Sequence, residues 1–327
     1  MAKIVVTKEL AEDLMAKLKA DHHVTFLPQN EDPSFEAELR AELKDAEGLI
    51  TTKVKIDDTL LKEAPQLKIV ADLTVGYDNF DIEAMKTYKV LGSHTPGVLD
   101  ETVADLTFGL ILASARRLAE LDQLIKNGEW RTKDDLPFYG TDVHHQTLGI
   151  VGMGRIGEQL AKRARLGFDM DVLYYNRTRK PEIEKGLDVT YVSFEELLSQ
   201  SDFIVLLTPL TNETYHLFDK KAFQLMKPSS YFINVSRGQT VDEQALIHAL
   251  QSGEIRGAGL DVFDQEPLNL DNPLLTMKNV TLAPHIGSAV SKTRYDMATL
   301  GVDNILAYFS GKTPPTLVKE LKELYIR

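Results

Sequence analysis

Three short segments each place a charged or titratable side chain just past an apolar run: FINVSRGQTVDEQAL with Arg237, GLDVFDQEPLN with Glu266, and TLAPHIGSA with His285. If the runs are strands of a parallel sheet, all three side chains sit at strand C-termini, the edge where such a sheet forms its ligand crevice. An imidazole held by a carboxylate is a general acid of fixed tautomer, and a guanidinium matches the two oxygens of a carboxylate substrate. Together they suit proton transfer beside a bound anion, each charge standing where an apolar run would otherwise bury it at a cost. Any one of the three alone is more simply read as a satisfied salt bridge.

The middle of the chain offers a place for a dinucleotide. In QTLGIVGMGRIGEQLAKRARLG, Gly152, Gly154 and Gly157 form G-x-G-x-x-G between an apolar strand and an amphipathic helix, with Arg155 and Ile156 inside the turn. The first glycine permits the turn, the second admits a pyrophosphate, and the third lets helix pack on strand. A second strand follows as VLYYNRTRK. Sites for NAD end that strand in an acid, which binds the ribose hydroxyls and repels a 2′-phosphate. Here Asn176 stands there, followed by Arg177 and Thr178, a neutral and cationic set suited to a phosphate monoester. The expected cofactor is NADP(H), with NAD(H) possible. The competing reading is an ordinary basic surface turn containing Arg177 and Arg179.

These residues require alternating strands and helices. β-Branched runs such as KIVV, LKIVADL, TLGIVG, DFIVLLTPL and SYFINVS are separated by amphipathic stretches such as KELAEDLMAKLKA, the pattern of parallel sheets with crossover helices. The stretch Asp100 to Trp130 keeps helical periodicity throughout and predicts one long helix able to bridge two domains. A second long helix is expected from about Ser288 to Ser310. The expected fold is α/β, with a nucleotide domain at 99–287 and a second domain made of 1–98 and 288–327.

The chain has 327 residues, of which 43% are apolar, enough for two cores. It contains no cysteine, which excludes disulfides, thiolate nucleophiles and cysteine zinc sites. A formal net charge of −12 disfavours nucleic acid as a partner. The first residues turn charged within a few positions, unlike a signal peptide, and no apolar run approaches the roughly 18 residues of a membrane span. A cytoplasmic protein without membrane or nucleic-acid partners is expected. His144 and His145 are adjacent at a strand entrance, point apart and are expected to be structural.

Through VADLTFGLILASARR, VGMGRIG, INVSRGQTVDEQAL, GLDVFDQEPL and PHIGS the sequence resembles the D-isomer-specific 2-hydroxyacid dehydrogenases. Within them LTVGYDNFDIEAM and EWRTKDDLPFYGTDVHHQTLGIVGMGRIG resemble the glyoxylate/hydroxypyruvate reductases that also reduce 2-ketogluconate. The resemblance implies a Rossmann domain inserted in a flavodoxin-like domain, a homodimer, and reduction of a 2-oxo acid in which Arg237 orients the acid and polarises its carbonyl, His285 protonates the carbonyl oxygen, and Glu266 holds the second ring nitrogen of His285. It also implies cofactor contacts from Thr102, Thr208, Pro209, Val235, Ser236 and Asp261. The substrate carboxylate would meet backbone N–H groups of the Leu73-Thr74-Val75-Gly76 loop, in a cleft between domains. One departure is Phe138, where relatives often carry tryptophan in a loop that reaches a substrate pocket. Two other functions stay open: a nicotinamide-nucleotide-sensing co-repressor, and a 3-phosphoglycerate dehydrogenase, which needs further basic groups. A formate dehydrogenase is disfavoured, because such enzymes carry glutamine where Glu266 stands.

Overall fold

The computed structural model describes residues 1–30 and 32–325. The chain divides into two compact units, Met1–Leu99 with Ala289–Arg327, and Asp100–Ser288. The first unit holds strands β1 (Lys3–Val6), β2 (His23–Phe26), β3 (Gly48–Thr51), β4 (Ile69–Asp72) and β5 (Leu91–Ser93). They form one parallel sheet in the order β2-β1-β3-β4-β5, the flavodoxin-like order. Strands β3 and β4 are buried along their whole length, as expected when helices cover both faces of a parallel sheet. Phe35, Leu39, Leu60 and Met85 cover one face, while Leu14, Leu18, Val302 and Ile305 cover the other. The helix Ser291–Phe309 supplies the last two and realises the second long helix expected from the sequence. It lies close on the sheet at Gly301, where a Cβ would come within 2.2 Å of Leu73.

The second unit contains β6 (Thr147–Val151), β7 (Asp171–Tyr175), β8 (Thr190–Tyr191), β9 (Phe203–Leu206), β10 (Tyr231–Asn234), β11 (Gly257–Leu260) and β12 (Val280–Leu282). All seven are parallel, in the order β12-β11-β10-β9-β6-β7-β8. Chain order reverses between β6 and β9, the switch point where a Rossmann sheet opens its crevice.

The long helix expected from Asp100 to Trp130 is two helices, Asp100–Ala115 and Leu118–Lys126, both within this unit. Arg117 breaks them with a left-handed φ of 55°. Its guanidinium holds Glu120 at 2.7 and 2.8 Å and donates to the carbonyls of Pro137 and Tyr139. Side-chain periodicity carries no trace of one inverted backbone angle, so the break is invisible in the sequence.

Candidate active site

The glycine turn follows β6. Gly152 has φ +108°, and a Cβ there would approach the Leu207 carbonyl carbon to 2.8 Å, so both backbone angle and space demand glycine. At Gly157 a Cβ would stand 2.7 Å from the Gly152 carbonyl oxygen, which shows how tightly the helix Arg155–Phe168 docks on the turn. At Gly154 a Cβ would meet no atom within 4 Å. The space before the helix N-terminus is therefore open, and the amides of Arg155 and Ile156 begin that helix. Across the switch point Thr208 follows β9, and its Oγ1 is buried without a hydrogen-bond partner among the described residues. Pro209 beside it is anchored by Thr214 Oγ1 at 2.6 Å. Thr102 lies in the first turn of the Asp100–Ala115 helix. An open cradle at a helix N-terminus, with an unmet hydroxyl opposite, fits a dinucleotide diphosphate.

The turn after β7 is exposed and lightly braced. Asn176 Nδ2 donates to the Thr178 carbonyl at 2.9 Å. Arg179 forms a double contact with Glu184, Nε to Oε1 at 2.8 Å and Nη2 to Oε2 at 2.7 Å, and lies over the Tyr191 ring. Arg179 first, and then the Tyr174 hydroxyl, hold the Glu184 carboxyl down at about 2. Arg177 joins no ion pair among the described residues. Its charge adds to a Thr211 hydrogen bond in keeping the Glu213 carboxyl below its usual range. The two arginines thus divide: Arg179 belongs to the turn's scaffold, and Arg177 faces outward.

The three charged residues at the strand ends meet through their loops. Asn234 ends β10; its Oδ1 accepts from Ser236 N and Oγ, and its Nδ2 donates to the Arg237 carbonyl. This folds Val235, Ser236 and Arg237 into a tight corner. Arg237 Nη1 also donates to the Ser236 carbonyl at 2.9 Å. A Cβ at Gly238 would lie 1.8 Å from the Phe263 carbonyl carbon, so only glycine lets this corner press on the loop that follows β11. That loop carries Glu266, whose Oε1 accepts from Phe263 N at 3.3 Å and whose Oε2 meets His285 Nδ1 at 2.6 Å. Glu266 thereby fixes which nitrogen of His285 faces away from the carboxylate.

His285 itself has φ 55°, a conformation that its turn must enforce. Asp261 does so. Its Oδ1 and Oδ2 accept from Ile286 N and Gly287 N, each at 2.8 Å, and the residue is 1% exposed. Burial pushes the Asp261 carboxyl above its usual value, against the two amides and the nearby His285. The sequence suggests Asp261 as a cofactor contact; its bracing of the histidine turn is not readable there, because a carboxylate bonded to backbone leaves no side-chain partner to find.

In the first unit the carbonyls of Thr74, Val75 and Gly76 are committed. Thr74 Oγ1 donates to the Gly76 carbonyl at 2.6 Å, Thr95 N to the Thr74 carbonyl at 2.8 Å, and His94 Nδ1 lies 2.8 Å from the Val75 carbonyl. The N–H groups of Val75 and Gly76 have no hydrogen bond among the described residues. Before them in the chain Asp72 is fully buried, with Oδ1 accepting from Lys53 N at 3.3 Å, and burial raises its carboxyl to about 6. Sequence reasoning missed Asp72 and His94. A lone acid closing the apolar run IVAD was the available signal for the first. His144 and His145 pack edge to face at 5.0 Å, and no cluster of three metal-ligating side chains occurs among the described residues. No helix among them is long and apolar enough to cross a membrane.

The family model for the D-isomer specific 2-hydroxyacid dehydrogenase, NAD binding domain, matches residues 108–287. The chain is 47% identical over 315 residues to the glyoxylate/hydroxypyruvate reductase B of Shigella boydii serotype 4 (strain Sb227), covering 96% of this chain and 97% of that protein. Among solved structures, the TT0316 protein from Thermus thermophilus superposes with TM-score 0.90 at 40% identity, over 97% of this chain and 99% of that one. The NADPH-dependent glyoxylate/hydroxypyruvate reductase from Sinorhizobium meliloti, solved with NADP and malonate, gives TM-score 0.87 at 33% identity, over 98% and 97%. With its glycine turn, its histidine–carboxylate pair and these likenesses, the chain belongs to the D-isomer specific 2-hydroxyacid dehydrogenases, a family of oxidoreductases.

Proposed function

We propose that this chain reduces small 2-oxo acids such as glyoxylate, hydroxypyruvate and 2-ketogluconate to D-2-hydroxy acids, with NADPH preferred over NADH. The observation that carries the reading is the 2.6 Å contact between His285 Nδ1 and Glu266, at the same sheet edge as the glycine turn. A bound nicotinamide supplies the hydride, so the carbonyl oxygen of the substrate gains negative charge that a proton must meet.

His285 delivers that proton from Nε2, while Glu266 keeps Nδ1 as the bonded nitrogen throughout. Arg237 takes the substrate carboxylate and polarises the neighbouring carbonyl, which sets the face presented to the donor. Val75 and Gly76 are the proposed backbone donors to the same carboxylate. Gly152, Gly154, Arg155, Ile156 and Gly157 hold the diphosphate with Thr208 and Pro209, and Thr102, Val235, Ser236 and Asp261 complete the cofactor contacts. Asn176, Arg177 and Thr178 receive the 2′-phosphate. The names of the relatives favour an enzyme over a co-repressor. A homodimer in the cytoplasm belongs to the same proposal, and sedimentation checks the first of these terms. The test is a panel of 2-oxo acids run against both coenzymes. Turnover of glyoxylate or hydroxypyruvate with NADPH is expected, and cofactor binding without turnover of any 2-oxo acid would contradict the proposal.

A further inference from the structure

The helix Asp100–Ala115 opens with a carboxylate that the chemistry above does not use. Asp100 is 8% exposed, its Oδ2 accepts from Arg155 Nε at 3.1 Å, and its Oδ1 is buried with no hydrogen-bond partner among the described residues. A buried carboxylate with an unmet oxygen costs stability. Packing alone would be served as well by an uncharged side chain of the same shape. The first helical turn favours a negative charge, and what that charge adds beyond this is its grip on Arg155.

That partner shows what the grip does. Arg155 is the first residue of the helix Arg155–Phe168, and its side chain is 57% exposed. Nε is taken by Asp100, whereas Nη1 and Nη2 make no hydrogen bond among the described residues. Those two nitrogens keep the planar, paired donors that match an oxyanion. Arg155 directly follows Gly154, where the space for a Cβ is open. An arginine loose in solvent surrenders its rotamer freedom when it grips a ligand; one already held by its Nε has surrendered much of it beforehand.

We propose that Asp100 is a positioning residue for the cofactor, holding the Arg155 guanidinium by its Nε so that Nη1 and Nη2 are set to receive the diphosphate of NADP(H). The proposal rests on the glycine turn being the diphosphate site. It assigns no contact between Asp100 and the ligand itself, and it separates two roles within one ion pair. Asp100 supplies order, and Arg155 supplies the contact.

The test uses Asp100→Asn, Arg155→Gln and the double variant of the full chain. Dissociation constants are measured for NADPH and for 2′-AMP, which carries the 2′-phosphate but no diphosphate, and each variant is melted. Asp100→Asn should weaken NADPH about five- to tenfold and leave 2′-AMP unchanged, with a melting temperature equal to or above the parent's. In the Arg155→Gln background it should add nothing further. If Arg155→Gln does not weaken NADPH, the reading of the turn falls and the proposal with it. If Arg155→Gln weakens NADPH and Asp100→Asn does not, the proposal alone is overturned. Equal weakening of NADPH and 2′-AMP by Asp100→Asn also overturns it, since that marks a general structural defect.

Discussion

The turn that carries His285 and the turn that carries Arg177 both follow strands of one parallel sheet, yet they are held in opposite ways. The first rests on a buried carboxylate, Asp261, that takes two backbone amides at 2.8 Å, and its partner Glu266 sits on a loop against which Gly238 packs with no room for a Cβ. The second is an exposed turn held by the Asn176 side-chain amide, by the Arg179–Glu184 pair and by the hydroxyls of Tyr174 and Tyr191. Proton transfer fails when donor and acceptor are misplaced by fractions of an ångström, so its support is buried and intolerant. The proposed discrimination of a 2′-phosphate from a hydroxyl needs only a charge within reach, which an outward guanidinium would supply without a rigid frame. Chemistry and coenzyme choice should therefore be separable by mutation.

The largest expected effect is on the rigid side. His285→Gln should lower turnover about 10²- to 10⁴-fold, the usual worth of a positioned acid, while a fluorescence titration finds the NADPH affinity of the parent. A large loss of affinity together with activity would join the two regions that the structure separates. Gly238→Ala comes next. A Cβ 1.8 Å from the Phe263 carbonyl carbon meets backbone that cannot yield, and denaturant melts should show a loss of about 3 kcal/mol or more. Gly154→Ala is its counterpart, with an open space around the added methyl. It should melt like the parent and bind NADPH more weakly.

How legible this was in the sequence differs between the same regions. Arg237, Glu266 and His285 stood out because each follows an apolar run, and the glycine spacing announced the switch point. The supports did not stand out. Asp261 acts through backbone amides, Gly238 through contact with a loop distant in sequence, and Arg117 through a left-handed backbone. None of these leaves a periodic or compositional trace. Strands β2 and β8 were equally hidden, the first being half exposed and the second two residues long. The exposed turn was legible as a basic cluster, but only geometry divided Arg179, spent on Glu184, from Arg177.

On the flexible side, Arg177→Glu should reverse coenzyme preference. A charged hydrogen bond of about 1.5–3 kcal/mol is exchanged for a repulsion, and kcat/KM with each coenzyme reads the change. A smaller effect is expected from the buried Asp72. Its folded carboxyl titrates at about 6, above its ordinary 3.8. The unfolded chain therefore binds fewer protons between these values, and the group's contribution to stability is full below 3.8 and lost as pH rises through about 6. Asp72→Asn should be more stable than the parent at pH 8 by roughly 1–3 kcal/mol, a gap that closes toward pH 4. Melts at both pH values check it. The smallest effect belongs to Arg179→Ala, which should melt close to the parent, as the loss of an exposed ion-pair partner does, and leave the coenzyme ratio where it was.

The most direct test of separability is the ratio of kcat/KM for NADPH over NADH, measured with glyoxylate in the parent, Glu266→Gln, Arg177→Glu and the double variant. Glu266→Gln should lower both rates by one common factor, so the ratio stays that of the parent and favours NADPH. Arg177→Glu should invert the ratio, and the double variant should show the two effects simply multiplied. A ratio that moves in Glu266→Gln, or a parent that uses both coenzymes equally, would contradict the account.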